Sequence, residues 1–323
     1  MTMNDPLQAT VDALASGQRF LIAAHEGPDG DAMSSTLALT NALREMGKDV
    51  VAYNVDGVPD KFQFLPGADT VVSDVAASDF FDVIVILDAG ELRRARLDAR
   101  ALCKTLINID HHPFSEDFGD IYLVDDKCSA TAAMLYRVLM ACDYTISAEV
   151  ALCIYTGILS DTGSFRYSSA DPEAFAISGE MVALGVDPWM VAGGLYESQE
   201  VERLQLLGLS LNTLRTSDCG QYAAMTVTLN MLNKLGVGPE LADSFVNYPR
   251  SIHGVEVALF FRELGENSYK LGMRSKGTVD VGAMARELGG GGHHNAAGAV
   301  LSGTLEEVHT LVFERLGAIS AAQ

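Results

Sequence analysis

Three short apolar runs in the first third of the chain each stop at a side chain that can bind a metal or move a proton. Residues 20–24 end at His25, residues 83–87 end at Asp88, and residues 106–109 end at Asp110, His111 and His112. Continuous apolar runs of this length read as strands buried on both faces. Residues 49–55 form another strand-like segment, and residues 31–46 repeat at helical period before Gly47 closes them. Strands alternating with helices predict an α/β domain whose sheet is mostly parallel and flanked by helices. In such sheets ligands bind beyond the carboxyl ends of the strands, so the three polar ends should share one rim.

Around that rim the residue types suit divalent cations. The first loop, AAHEGPDGDA, adds Asp29 and Asp31 to His25, and LSDTGSF places Asp161 after a helix-like stretch. Carboxylates with a few imidazoles favour Mn²⁺ or Mg²⁺ over a soft, thiolate-bound metal. Pro28 and the glycines at 27 and 30 allow a tight loop, in which Asp29 and Asp31 face neighbouring ions. A carboxylate at a strand end can bridge two ions, and Asp88 is the candidate. Two such ions clamp an in-line phosphoryl displacement. Each aspartate alone could be a turn or cap residue, as Asp31 could be for the following helix. Their joint occurrence in four segments points to a site.

Residues 129–142, 148–159 and 172–184 read as helices, and 189–214 as a long, mostly helical connection. From residue 221 the pattern restarts, with strand-like 222–229, 255–261, 269–274 and 296–301 and helical 281–288 and 305–316. This places a first domain over 1–188, a helical linker over 189–220 and a smaller α/β domain over 221–323. The second domain carries Gly289 to Gly292, whose backbone N–H groups could approach an anion closely. His293 and His294 follow them. Arg274 and Ser275 supply a guanidinium fork and a hydroxyl suited to a phosphate.

Composition limits the partners. Lys and Arg number 22 against 43 Asp and Glu, a net charge of −21. Long nucleic acid and anionic membrane need basic contacts that such a surface lacks, whereas a small phosphate ligand needs only a local pocket. The five cysteines contain no CxxC pair, so neither a zinc ribbon nor a disulfide framework is expected, and a reducing cytoplasm fits. No apolar run is long enough to span a membrane, and the N-terminus has no secretory pattern.

The triplet Asp110-His111-His112, the spacing His25-x3-Asp29-x-Asp31, Asp88 after its apolar run and Asp161 in SDTGSFRYSS resemble the DHH phosphoesterase family. RSKG at 274–277 and GGGGHHNAAG at 289–298 resemble its DHHA1 second domain. The resemblance covers nearly the whole chain. It implies a DHH catalytic domain, a long connecting helix and a DHHA1 substrate-binding domain. Within the family, the layout is similar to the nanoRNase type, oligoribonucleases that also dephosphorylate 3′-phosphoadenosine 5′-phosphate (pAp). Phosphodiesterases of cyclic or linear dinucleotides such as c-di-AMP and pApA are the alternative. The resemblance implies two Mn²⁺ ions, with Mg²⁺ or Co²⁺ as substitutes. His25, Asp29 and Asp88 would hold one; Asp31, Asp88, His111 and Asp161 would hold the other. His112 would face the scissile phosphate, and Asp110 would orient the histidines. Arg274, Ser275, Gly290, Gly291, Gly292 and His293 would bind substrate, and a homodimer is implied. The chain departs from the family in having Ser34-Ser35 where Gly-Ser is common, and Glu26 adds a negative charge to the first loop.

Overall fold

The computed structural model describes residues 5–321, and the expectation about a secretory segment rests partly on residues 1–4, outside that range. The chain divides into two compact units, residues 1–198 and 199–323. The first contains α1 (Pro6–Ser16), β1 (Arg19–Ala24), α2 (Gly30–Glu45), β2 (Asp49–Tyr53), β3 (Phe81–Leu87), α3 (Ala99–Leu102), β4 (Cys103–Asp110) and β5 (Ile121–Val124). Helices α4 (Thr131–Ala141), α5 (Ala148–Asp161), α6 (Pro172–Ala183) and α7 (Pro188–Tyr196) complete it. The second contains α8 (Val201–Leu211), β6 (Arg215–Thr216), β7 (Tyr222–Val227), α9 (Leu229–Leu235), α10 (Asn247–Arg250), β8 (Val257–Gly265) and β9 (Ser268–Ser275). It ends with α11 (Val281–Glu287), β10 (Gly291–His293), β11 (Ala296–Ser302) and α12 (Leu305–Ala321).

The first unit is an all-parallel sheet of order β2-β1-β3-β4-β5. Residues 20–24 of β1 and 83–87 of β3 are apolar at every position because both faces of the sheet are covered there. Phe20 and Ile22 of β1 pack into the larger core with α2, α4 and α5, while Leu21 and Ala23 face a smaller cluster that includes Ala95, Ala99 and Leu102. Helix starts follow local capping chemistry. Asp29 accepts from Ala32 N at the head of α2, Ser147 from Val150 N at α5, and Asp171 precedes Pro172 at α6. No single helix among the described residues is long and apolar enough to cross a membrane.

The expected long connecting helix is not formed. α7 ends at Tyr196 and α8 starts at Val201. Two physical causes combine. Gly193 and Gly194 weaken the last turn of α7, and the Ser198 hydroxyl donates to Gly194 O at 2.6 Å, taking a carbonyl that a continuing helix would use. The boundary between the units falls at this break.

The second unit is a six-stranded sheet of order β10-β11-β9-β8-β7-β6, antiparallel except for the parallel β7–β8 pair. α11 and α12 cover one face through Leu271, Met273, Val281, Val312 and Leu316. On the other face, α8 and α9 pack over β7 through Leu206, Val227 and Leu232. The far half of that face, over β8, β9 and β11, lines a cavity.

His309 of α12 is buried under this sheet, its ring 4.2 Å from Phe261. Nε2 lies 3.3 Å from the Thr226 hydroxyl, and Nδ1 has no partner among the described residues. Burial pushes its pKa down to about 4 from an ordinary value of 6.5. The unfolded chain therefore takes up a proton first as pH falls. The contribution is fully present above pH 6.5 and is lost towards pH 4, by at most about 3 kcal/mol. Hydrogen exchange of β7 and β8 amides in the full chain, corrected for intrinsic rates, should show protection falling across this window. His309→Gln should flatten that slope; an unchanged slope would contradict the assignment.

Candidate metal centre and nucleotide-binding face

The order β2-β1-β3 sends the chain to opposite sides of β1, which makes the β1–β3 junction a topological switch point. His25 follows β1 there, Asp88 follows β3, and Asp110 closes the neighbouring β4. α2 begins in the loop after β1 and brings Asp31; α5 ends with Asp161. The structure gathers all six residues expected to bind metal.

Asp88 sits at their centre. Its backbone is left-handed, with φ +55°, a bend that aspartate tolerates better than most residues. Oδ2 lies 3.8 Å from His25 Nε2, while Oδ1 lies 3.5 Å from His111 Nε2. Each oxygen of one carboxylate thus faces a different imidazole. His25 Nε2 is also 3.9 Å from Asp29 Oδ1, and His111 Nε2 is 3.8 Å from Asp31 Oδ2 and 3.6 Å from Asp161 Oδ2. Two groups of donor atoms therefore share Asp88: His25 with Asp29, and His111 with His112.

The far nitrogens fix the rings. His25 Nδ1 lies 2.7 Å from Glu26 O, and His111 Nδ1 lies 3.1 Å from Cys128 O. Both carbonyls accept the Nδ1 proton, leaving the Nε2 lone pairs directed at the carboxylates. His112 is held differently. Its Nδ1 is 2.7 Å from Asp110 Oδ1, and the other Asp110 oxygen accepts from Gly90 N at 3.0 Å.

Burial and mutual repulsion set the charges. Burial, followed by repulsion from Asp31, Asp29, Asp161 and Asp110, pushes Asp88 well above the ordinary carboxylate range. Burial raises Asp31, and burial with Asp31 raises Asp161 to about 7. Asp110 goes the other way. Burial pushes it up, but hydrogen bonds from His112 and Ser115 outweigh that and bring it to about 2. The same Asp110 bond raises His112. Glu26 stays out of the cluster, paired with Arg96 at 2.6 Å.

In the second unit, residues 270, 272 and 274 of β9 face the cavity, while 269, 271, 273 and 275 face the core. Arg274, Gly291, Gly292 and His293 line that cavity of about 490 Å³. Two expected substrate residues do not. Ser275 is buried on the opposite face from Arg274, its hydroxyl donating to Glu256 Oε1 at 3.2 Å and accepting from Gly277 N at 3.0 Å. Gly290 lies outside the lining, and a Cβ there would stand 2.1 Å from Gly298 O. The glycine run is not an open loop: Gly291–His293 is an edge strand paired with β11. Gly292 is required by close packing, since its Cβ would meet Ala297 Cα at 2.5 Å.

Comparison with known proteins bears on the whole chain. Residues 19–158 match the DHH family, N-terminal domain, and residues 220–318 match the DHHA1 domain. A protein from Thermus thermophilus named bifunctional oligoribonuclease and PAP phosphatase NrnA is 33% identical over 91% of this chain and 87% of its own. This chain belongs to the DHH family. The crystal structure of an exopolyphosphatase-related protein from Bacteroides fragilis superposes with TM-score 0.88 at 31% identity, covering 95% of each chain. RecJ from Thermus thermophilus, solved in complex with Mn²⁺, shares the fold at TM-score 0.53 and 14% identity, over all of this chain and 55% of that one.

The DHH unit has a donor set that fits divalent cations. Crowded carboxylates need positive charge to ionise together, and two imidazoles present Nε2 with Nδ1 already bonded to carbonyls. Three features of the DHH unit were not foreseen. Asp31 caps α4 from a distance, accepting from Thr131 N at 2.6 Å and Ala132 N at 3.0 Å, where Ala130 offers no side-chain cap. Gly163, Ser164 and Phe165, directly after Asp161 and Thr162, are all left-handed, a strain of about 1–3 kcal/mol for each non-glycine residue. Finally, α5 approaches α2 and α4 at Gly157, where a Cβ would lie 2.5 Å from Ala132 Cβ and 2.9 Å from Asp31 Oδ1. Gly157→Ala should cost about 1–3 kcal/mol of stability by overpacking and should weaken any divalent-cation binding at this donor set by displacing Asp31. Thermal unfolding with and without Mn²⁺, beside calorimetric titration, checks both; wild-type affinity would contradict the coupling.

Proposed function

We propose that this chain is a two-metal phosphoesterase that hydrolyses short oligoribonucleotides to mononucleotides and removes the 3′ phosphate from pAp. The observation that carries this reading is Asp88, whose two oxygens face His25 and His111 separately. His25, Asp29 and Asp88 would hold one ion, and Asp31, Asp88, His111 and Asp161 the other, with Mn²⁺ the ion we propose. Bound there, divalent ions neutralise phosphate oxygens and make water more acidic. The name of the Thermus thermophilus relative supports the substrate classes.

The chain's own residues do the rest. His112 keeps its Nδ1 proton on Asp110, whose low pKa holds it ionised, and Nε2 is left for the phosphate or the leaving oxygen. The raised pKa of His112 suits it to deliver a proton to the departing 3′ oxygen as general acid. Asp110 is a positioning residue, buried and bonded to His112 and Gly90. In the DHHA1 unit, Arg274 supplies a fork of donors for a phosphate beside His293. The net charge of −21 favours substrates of a few nucleotides, in the cytoplasm, over long RNA.

Purified protein with Mn²⁺ should release mononucleotides from an RNA trimer and phosphate from pAp. Activity confined to pApA would assign it to dinucleotide turnover instead. Asp88→Asn should lose both ions and at least about 100-fold in turnover. His112→Asn should keep its metal content and lose about 10²–10⁴-fold. Metal analysis beside kinetics separates the two, and full activity in Asp88→Asn would overturn the shared-ligand reading.

A further inference from the structure

The cavity of the second unit holds cations that the metal-centre chemistry does not use. Its floor is one face of the β8-β9-β11 sheet, and residues two apart along a strand share that face. Three rungs result. Arg262 of β8 stands opposite Lys270 of β9. Next, Phe260 is opposite Gly272, which is opposite Gly298 of β11. Then Ala258 is opposite Arg274, which is opposite Ala296. Arg262, Lys270 and Arg274 all line the cavity.

The Arg262–Lys270 rung calls for an anion. Like charges directly opposite on paired strands are destabilising, and a chain of net charge −21 has few cations to place together. No carboxylate among the described residues lies within ion-pair distance of either side chain. Arg262 Nε is buried with no partner among the described residues, and Nη1 has only Pro239 O at 3.4 Å. Asp243 also lines the cavity.

The middle rung is bare. A Cβ at Gly272 would meet nothing closer than Phe260 O at 3.9 Å, so packing does not require glycine there. Glycine within a strand weakens it, yet here it leaves a flat floor beside the Phe260 ring, a surface on which a base can stack. Lys270 and Arg274 are four residues apart, about 13 Å of strand rise, and their long side chains can converge over this floor from both ends.

We propose that this face binds one nucleoside over Gly272 and Gly298 with a phosphate at each end, one at Arg274 and one at Arg262 with Lys270. It thereby selects ligands with two phosphates, a 3′,5′-bisphosphorylated nucleoside or a 5′-phosphorylated dinucleotide, over ligands with one. This rests on reading the chain as a phosphoesterase of short nucleotides and assigns the second subsite that sets substrate length.

Equilibrium binding in EDTA, with the full chain and no turnover, tests it with adenosine 3′,5′-bisphosphate and adenosine 5′-monophosphate as probes. Wild type should prefer the bisphosphate at least tenfold. The double variant Arg262→Gln/Lys270→Gln should reduce the preference to within twofold, with a melting temperature at or above wild type because the opposed charges are gone. Gly272→Leu should weaken both probes together. No preference in wild type, or a preference that survives the double variant, would overturn the proposal even if the Mn²⁺-loaded enzyme cleaves RNA trimers. A preference that behaves as expected, in a protein that hydrolyses nothing, would instead sink the phosphoesterase reading.

Discussion

Repulsion among Asp31, Asp88 and Asp161 is the constraint around which the first unit is arranged. Asp31 and Asp88 are each 1% exposed and face the same imidazole edge. Buried carboxylates this close cannot all ionise without compensation. The fold supplies part of it. Thr131 N, Ala132 N and the Ser35 hydroxyl donate to Asp31, and the Thr131 hydroxyl donates to Asp88 at 3.0 Å. These donors come from α2 and the head of α4, so helix packing and site electrostatics are one arrangement. Divalent cations would complete the balance that the donors begin.

Much of this was legible because strand ends are easy to read. A buried strand shows as an apolar run, and the polar residue that stops it lies on the rim where ligands bind. That located His25, Asp88, Asp110 and both histidines without knowledge of strand order. Asp31 was readable as a helix-start residue, but its partner is the head of α4, a hundred residues away in the chain, and no local pattern marks such a pairing. Gly157 left no signal either, since a glycine inside an apolar helix looks like any weak helix position until its neighbours are known.

In the second unit the signal was present for one residue and misdirected for others. Tyr269, Leu271 and Met273 alternate towards the core, and Ser275 continues their parity. Period-two reading therefore places Ser275 inside and Arg274 outside. The four glycines invited an anion-cradle reading because such loops carry phosphates elsewhere. Here Gly290 and Gly292 answer to the close approach of β11 instead. The broken connection at 197–200 has a similar lesson: helical composition was there, but the Ser198 hydroxyl takes the carbonyl that continuation needs.

The crowding at Gly157 ties two properties that substitutions usually separate. Filling small residues in a helix interface is a common route to a more stable protein. Between α2, α4 and α5 that route is closed, because the atoms an added methyl would strike include an Asp31 oxygen and the first turn of α4. Sequence drift at this position is thus restricted to glycine by the ligand set as well as by the core. The unit's tolerance to heat and its grip on cations would evolve together.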